Sequence, residues 1–175
     1  MNKQNRNYMR IATRRKAYVR FLPTAETKPM YSGCASCYSQ SNSQSLQGAQ
    51  LPKDLINFLK DMDAKLNMII SLQNQEYLQQ QFDFECDITE ISGAGLQFSS
   101  HKEIDTDQAV EMAVVISQIP FRIVGLVGII QRIESTDPQY LYVVEYTSIR
   151  DDDREAIVQF VFHEQREQIR ERQNA

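Results

Sequence analysis

Between residues 82 and 88 the apolar side chains Phe82, Phe84, Cys86 and Ile88 alternate with Asp83, Glu85 and Asp87. A period of two is the signature of a strand with one buried face. Further β-like runs fall at residues 94–98, 111–116, 121–131 and 141–146. Turn-forming stretches at 101–108, 118–120 and 135–138 separate them. A shorter run from Tyr18 to Leu22 is stopped by Pro23, which cannot donate to a ladder. Several short strands at this spacing predict an antiparallel barrel or sandwich, with barrel strands over 82–147. Gly125 and Gly128, inside the longest run, mark a bulge or barrel corner.

The period changes twice. Residues 53–81 contain neither Gly nor Pro, and Leu55, Leu59, Met62, Leu66 and Ile69 follow one another at spacings of four and three. That is a heptad seam and predicts a long coiled-coil-type helix. With Leu59 and Leu66 at a and Leu55, Met62 and Ile69 at d, the composition favours three or four helices over two. Gln73 and Glu76 make the last heptad polar, and a seam this short is weak in isolation. Two arrangements stay open: self-assembly through the seam, or packing on the same domain through Phe58, Met68, Ile70 and Leu72. A second helix is predicted over 151–173. Asp151, Asp152 or Asp153 caps it, Ile157, Phe160, Val161 and Ile169 form its apolar side, and Arg166, Arg170 and Arg172 lie toward its negative end. Residues 24–50, rich in Ser, Gln, Gly and Ala, read as a flexible insertion, and 1–13 as a flexible basic arm. The whole is an α+β chain, mainly β, in a single domain over 1–175.

Charge narrows the function. The net charge is -4 across 175 residues, yet residues 1–28 hold eight Lys/Arg against one Glu. A basic segment on an acidic body points to an anionic ligand. Nucleic acid is disfavoured, because the aromatics in that segment are limited to Tyr8, Tyr18 and Phe21 and no recognised binding motif follows. No apolar run reaches the length of about 18 residues that spans a bilayer, and the basic N-terminus lacks an apolar stretch behind it. A cytoplasmic protein is the expectation. Cys34 and Cys37 form a lone Cys-x-x-Cys, and Cys86, His101 and His163 stand at spacings unsuited to zinc. Neither histidine belongs to a nucleophile or metal constellation. A binding protein without cofactor or metal is therefore expected, not an enzyme.

Two segments carry candidate chemistry: the cationic cluster Arg14, Arg15, Lys16 and Arg20, and the loop Glu90, Ile91, Ser92, Gly93, Ala94, Gly95. A guanidinium fork grips a phosphate or the O6/N7 edge of guanine while its flat face stacks on the base, which lysine cannot do. Glycine admits backbone angles closed to other residues and lets a ligand approach the main chain. Together the segments resemble the Arg-x-x-x-Arg and Asp/Asn-x-Ser-x-x-Gly motifs of PilZ domains. Glu90 replaces the usual Asp or Asn, and Lys16 stands four before Arg20.

The resemblance implies a six-stranded antiparallel barrel that binds cyclic di-GMP. Arg20 and one of Arg14, Arg15 or Lys16 would hold phosphate and guanine, with Glu90, Ser92, Gly93 and Gly95 at the second guanine. The order strand, loop, long helix, barrel, helix is similar to a PilZ subgroup with an inserted heptad helix that assembles tetramers. The segment from Phe160 to Glu167 is similar to that subgroup's closing helix. Two functions follow. One is a cyclic di-GMP receptor and adaptor acting on another protein in motility or biofilm control. The other is a degenerate oligomeric scaffold that works by partner binding without nucleotide. Losing one charged hydrogen bond weakens binding by roughly tenfold to a hundredfold, which leaves the first open.

Overall fold

The computed structural model describes residues 8–31, 51–118, 121–135 and 139–174. Residues 1–7 of the expected arm and 32–50 of the expected insertion, with Cys34 and Cys37, lie outside the described residues. The elements are β1 (Ile11–Leu22), α1 (Lys53–Gln81), β2 (Phe84–Ile91), β3 (Gly95–Ser100), β4 (Ala109–Gln118), β5 (Phe121–Ser135), β6 (Tyr140–Ile149) and α2 (Asp151–Asn174).

Alternation along these strands gives each an inner apolar face, and the six faces close on one another as an antiparallel barrel in the order β1-β2-β3-β6-β5-β4. The closing pair is β1 with β4, where Ala17 faces Val114 and Val19 faces Met112. The barrel reading is thus the one realised, not the sandwich. Val19, Ile88, Phe98, Val110, Met112, Val114, Leu126, Ile130 and Tyr142 fill the interior, and α2 adds Ala156, Ile157 and Val161. Each such side chain contributes about 1.5 to 3 kcal/mol when removed from water. The polar end of Tyr142 is satisfied inside: its hydroxyl donates to Lys102 O at 2.8 Å and accepts from Ile104 N at 2.9 Å. The expected irregularity at Gly128 is present as a register shift between Val127 and Gly128.

β1 begins at Ile11, well before Tyr18. Ile11, Ala17 and Val19 enter the core, and Arg14 and Lys16 stand on the outer face where charge is tolerated. Residues 11–13 therefore belong to the barrel rather than to a flexible arm. A register shift between Ala12 and Arg15 adjusts the alternation.

A second, smaller core lies on the outside of the barrel. Tyr18, Ala113, Val115 and Ile123 are covered there by Leu78 and Phe82. Leu78 is the one buried residue of α1. At 1.5 Å per residue α1 is about 43 Å long, and along it Leu55, Leu59, Met62, Leu66 and Ile69 are exposed. Phe58, Met68, Ile70 and Leu72 are exposed as well, so the arrangement in which they pack on the same domain is not the one found.

Candidate functional site

β2 and β3 are joined by a tight turn over Ser92, Gly93, Ala94 and Gly95. Ser92 N donates to Gly95 O at 2.9 Å, closing it. The buried Ser92 hydroxyl donates to the same carbonyl at 3.0 Å and accepts from Ala94 N at 3.3 Å and Gly95 N at 3.2 Å. Serine is needed because one oxygen both donates and accepts. The next layer holds two consecutive carbonyls. Ala94 O accepts from Tyr146 N at 3.0 Å, and Gly93 O accepts from Arg154 Nη1 at 2.5 Å.

The glycines serve the turn differently from the sequence expectation. No described glycine has positive φ. Close approach is what excludes a side chain. A Cβ on Gly95 would meet Val144 O at 2.5 Å, and one on Gly93 would meet the Tyr8 ring at 2.3 Å.

Beside this turn lies a cavity of about 140 Å³ lined by Arg10, Glu90, Ser92, Gly95, Gln97, Arg132, Glu134 and Glu145, among others. Ligand pockets usually measure roughly 300 to 1,000 Å³. This depression is smaller than that range. Arg10 Nη1 lies 3.4 Å from Glu90 Oε1. Arg132 Nη2 lies 2.6 Å from Glu134 Oε1, whose other oxygen accepts from Gln97 Nε2 at 2.5 Å. Among the lining residues the cations Arg10 and Arg132 face the carboxylates Glu90, Glu134 and Glu145, a local negative excess.

Of the sequence candidates, Glu90, Ser92, Gly93 and Gly95 come together here. The cationic cluster does not join them. Arg14 is exposed, beside Glu164, Glu167 and Glu171 of α2, and has no ion-pair partner among the described residues. Arg15 pairs with Glu164 at 2.7 Å and lies over the Phe160 ring at 5.2 Å. Lys16 bridges Glu85 at 2.8 Å and Asp87 at 3.0 Å, and these two carboxylates hold its ammonium well above the usual lysine range. Arg20 pairs with the fully buried Glu111 and covers Phe82 at 5.2 Å. The other Glu111 oxygen accepts from Tyr31 N at 2.8 Å.

Register places Arg20 far from the turn. Ile11 faces Ile91, next to Ser92, while Arg20 is nine positions further along β1 and faces Glu111. At 3.3 Å per residue the two ends are about 30 Å apart. Arg20 therefore does not line this depression.

Arg10 does line it, and the sequence reading did not name that residue. The signal was present: Arg6, Asn7, Tyr8, Met9 and Arg10 carry the Arg-x-x-x-Arg spacing immediately ahead of β1. Arg6 itself lies outside the described residues. Among the described residues no group of three or more His, Cys, Asp or Glu is placed to hold a metal ion, and no helix is long and apolar enough to cross a membrane. Cys86 is buried, and burial raises its thiol pKa, away from reactivity.

No protein-family pattern and no curated protein matches the chain. Solved structures do. A pathogenic protein of Xanthomonas campestris, a tetrameric PilZ domain self-assembled through a helical bundle, shares 16% identity at TM-score 0.58, over 94% of this chain and 92% of that one. The PilZ domain of YcgR from Escherichia coli, solved with c-di-GMP, shares 8% at TM-score 0.52, over 98% of this chain and 100% of that one. The inhibitor of motility MotI/DgrA of Bacillus subtilis shares 10% at TM-score 0.51, and 93% of this chain spans 51% of it, about half its length. At such identities the likeness is one of fold.

Proposed function

We propose that this chain, which has the PilZ-domain fold, is a cyclic di-GMP receptor that acts as an adaptor through protein contacts. The observation that carries the reading is the position of Arg10 beside the Ser92–Gly95 turn, both lining one depression. The exposed Arg10 pair with Glu90 is loose enough for a phosphate to replace the carboxylate. The guanidinium then grips phosphate or the Hoogsteen edge of guanine. Glu90, released, accepts from the N1-H and N2-H of a guanine, and the glycine turn lets the base approach the backbone. The local negative excess opposes a ligand with two phosphates, so affinity depends on Arg10.

Isothermal titration with cyclic di-GMP, with GMP as control, tests this. Binding at micromolar affinity that is weakened about tenfold to a hundredfold in Arg10→Ala and kept in Lys16→Ala supports the receptor. Absence of heat overturns it.

A second reading rests on a separate observation, the exposed seam of Leu55, Leu59, Met62, Leu66 and Ile69 on α1. A contiguous apolar stripe of this kind marks an interface, and a second copy of the same heptad is its natural complement. In this reading the chain is a homo-oligomer, assembling as a tetramer, with the nucleotide site dispensable. Light scattering should give an oligomer for the wild type and a monomer for Leu59→Glu combined with Leu66→Glu. A wild-type monomer at micromolar concentration would sink it.

A further inference from the structure

Arg154 joins three parts of the molecule that are far apart in sequence. It belongs to the first turn of α2, its Nη1 donates to Gly93 O at 2.5 Å, and its guanidinium carbon lies 5.9 Å from the centre of the Tyr8 ring. Tyr8 in turn lies so close over Gly93 that a Cβ there would meet the ring at 2.3 Å. The turn, the chain entering β1 and the start of α2 thus converge on one side chain. Arginine alone among the cations both donates in a fixed plane and presents a flat face to an aromatic ring.

The side chain is not required by its own helix. Arg154 N already donates to Arg150 O at 2.9 Å, and Ala156, Ile157 and Val161 anchor α2 in the core. What it holds lies elsewhere. The two carbonyls at the crest of the turn are fixed from different sides, Ala94 O by the backbone of β6 and Gly93 O by α2. The β6 contact is part of the rigid barrel. The Arg154 contact belongs to a helix that meets the barrel along one side and leaves Phe162 and Ile169 exposed.

We infer that Arg154 is a positioning residue that couples the Ser92–Gly95 turn and Tyr8 to the first turn of α2, so that order gained or lost at the turn is gained or lost at the helix start. The coupling is internal to the chain. It rests on the receptor reading only for the identity of the molecule that works it, cyclic di-GMP. With that ligand, α2 is the element whose state reports occupancy to a partner.

Amide hydrogen exchange on the full chain tests the link. Without ligand, Arg154→Met speeds exchange at Ala94 and Gly95 by about tenfold, the loss expected of one charged hydrogen bond. Arg154→Lys, which keeps the charge and the packing stem, gives a similar acceleration there. An effect confined to α2 overturns the proposal. In the reverse direction Tyr8→Ala, a change at an exposed ring, speeds exchange at residues 155–157 by about two- to threefold through loss of the cation–π contact. Unchanged exchange at those amides overturns it. With saturating cyclic di-GMP, exchange at 155–157 slows in the wild type and stays unchanged in Arg154→Met, whereas equal slowing in both overturns the coupling. If calorimetry finds no binding to the wild type, the receptor reading fails, and the ligand-free arms alone decide the link.

Discussion

Arg20 with Glu111 and Arg10 with Glu90 are the same chemical pair at opposite ends of one strand, in opposite surroundings. The first pair is 23% and 0% exposed, the second 57% and 39%. Glu111 is further held by Tyr31 N, and Arg20 is stacked on Phe82 beneath the end of α1. One Arg20 nitrogen, Nε, is buried without a hydrogen-bond partner in the structure. Glu90 is set against Arg10 at 3.4 Å, where water and salt compete. Identical charges thus take different work. A buried pair is destabilised severely when one partner is removed, because the other is left uncompensated. An exposed pair contributes little and changes partner at small cost, which is what a ligand-gripping arginine requires.

Breaking the buried pair gives the largest expected effect. Glu111→Ala should lower unfolding free energy by about 3 to 5 kcal/mol, read from urea denaturation. A loss near zero would mean that the pair is solvated and the contrast false. Next in size, Arg10→Ala should weaken cyclic di-GMP binding by about tenfold to a hundredfold while leaving the melting temperature unchanged. An equal loss of stability would put Arg10 in the same class as Arg20.

Asp153 supplies an intermediate case. One of its oxygens is buried without a hydrogen-bond partner, and that burial raises its pKa. Because the folded-state value lies above the unfolded one, the folded protein takes up this proton first on acidification. Stability from Asp153 therefore grows as pH falls through the raised value and levels off below the ordinary carboxylate value. Asp153→Asn should flatten that rise in the difference between denaturation midpoints of the two proteins across mildly acid pH. A parallel pH profile in the variant would mean that Asp153 is solvated when folded. The smallest effect belongs to Glu90→Gln, expected to shift stability by less than about 0.5 kcal/mol in denaturant titration.

Much of the architecture was legible. The alternation from Phe82 to Ile88 falls in β2 from Phe84 onward, the Gly- and Pro-free run became α1, and the order of elements was read correctly because period and punctuation are local properties. The start of β1 was hidden, since Arg14, Arg15 and Lys16 look like a solvated tail until the outer face of a barrel strand receives them. The turn was readable as Ser92 and Gly95, for its hydrogen bonds close within four residues. That Arg10 lies beside the turn and Arg20 does not was hidden, because it depends on strand register, a non-local quantity. Arg154 lay beyond reach for the same reason, its partner Gly93 being 61 positions away.

The closure of the barrel carries a last consequence. Each strand has hydrogen-bonded neighbours on both sides, β1 closing on β4. Among the described strands, recognition by strand addition, in which a peptide extends a sheet through its open margin, is left only short stretches such as residues 11–16, which lie beyond the β1 positions paired with β4. The same closure shortens the template on which identical chains pair into fibrils. Most of the surface that the barrel offers is therefore side chains rather than unpaired backbone.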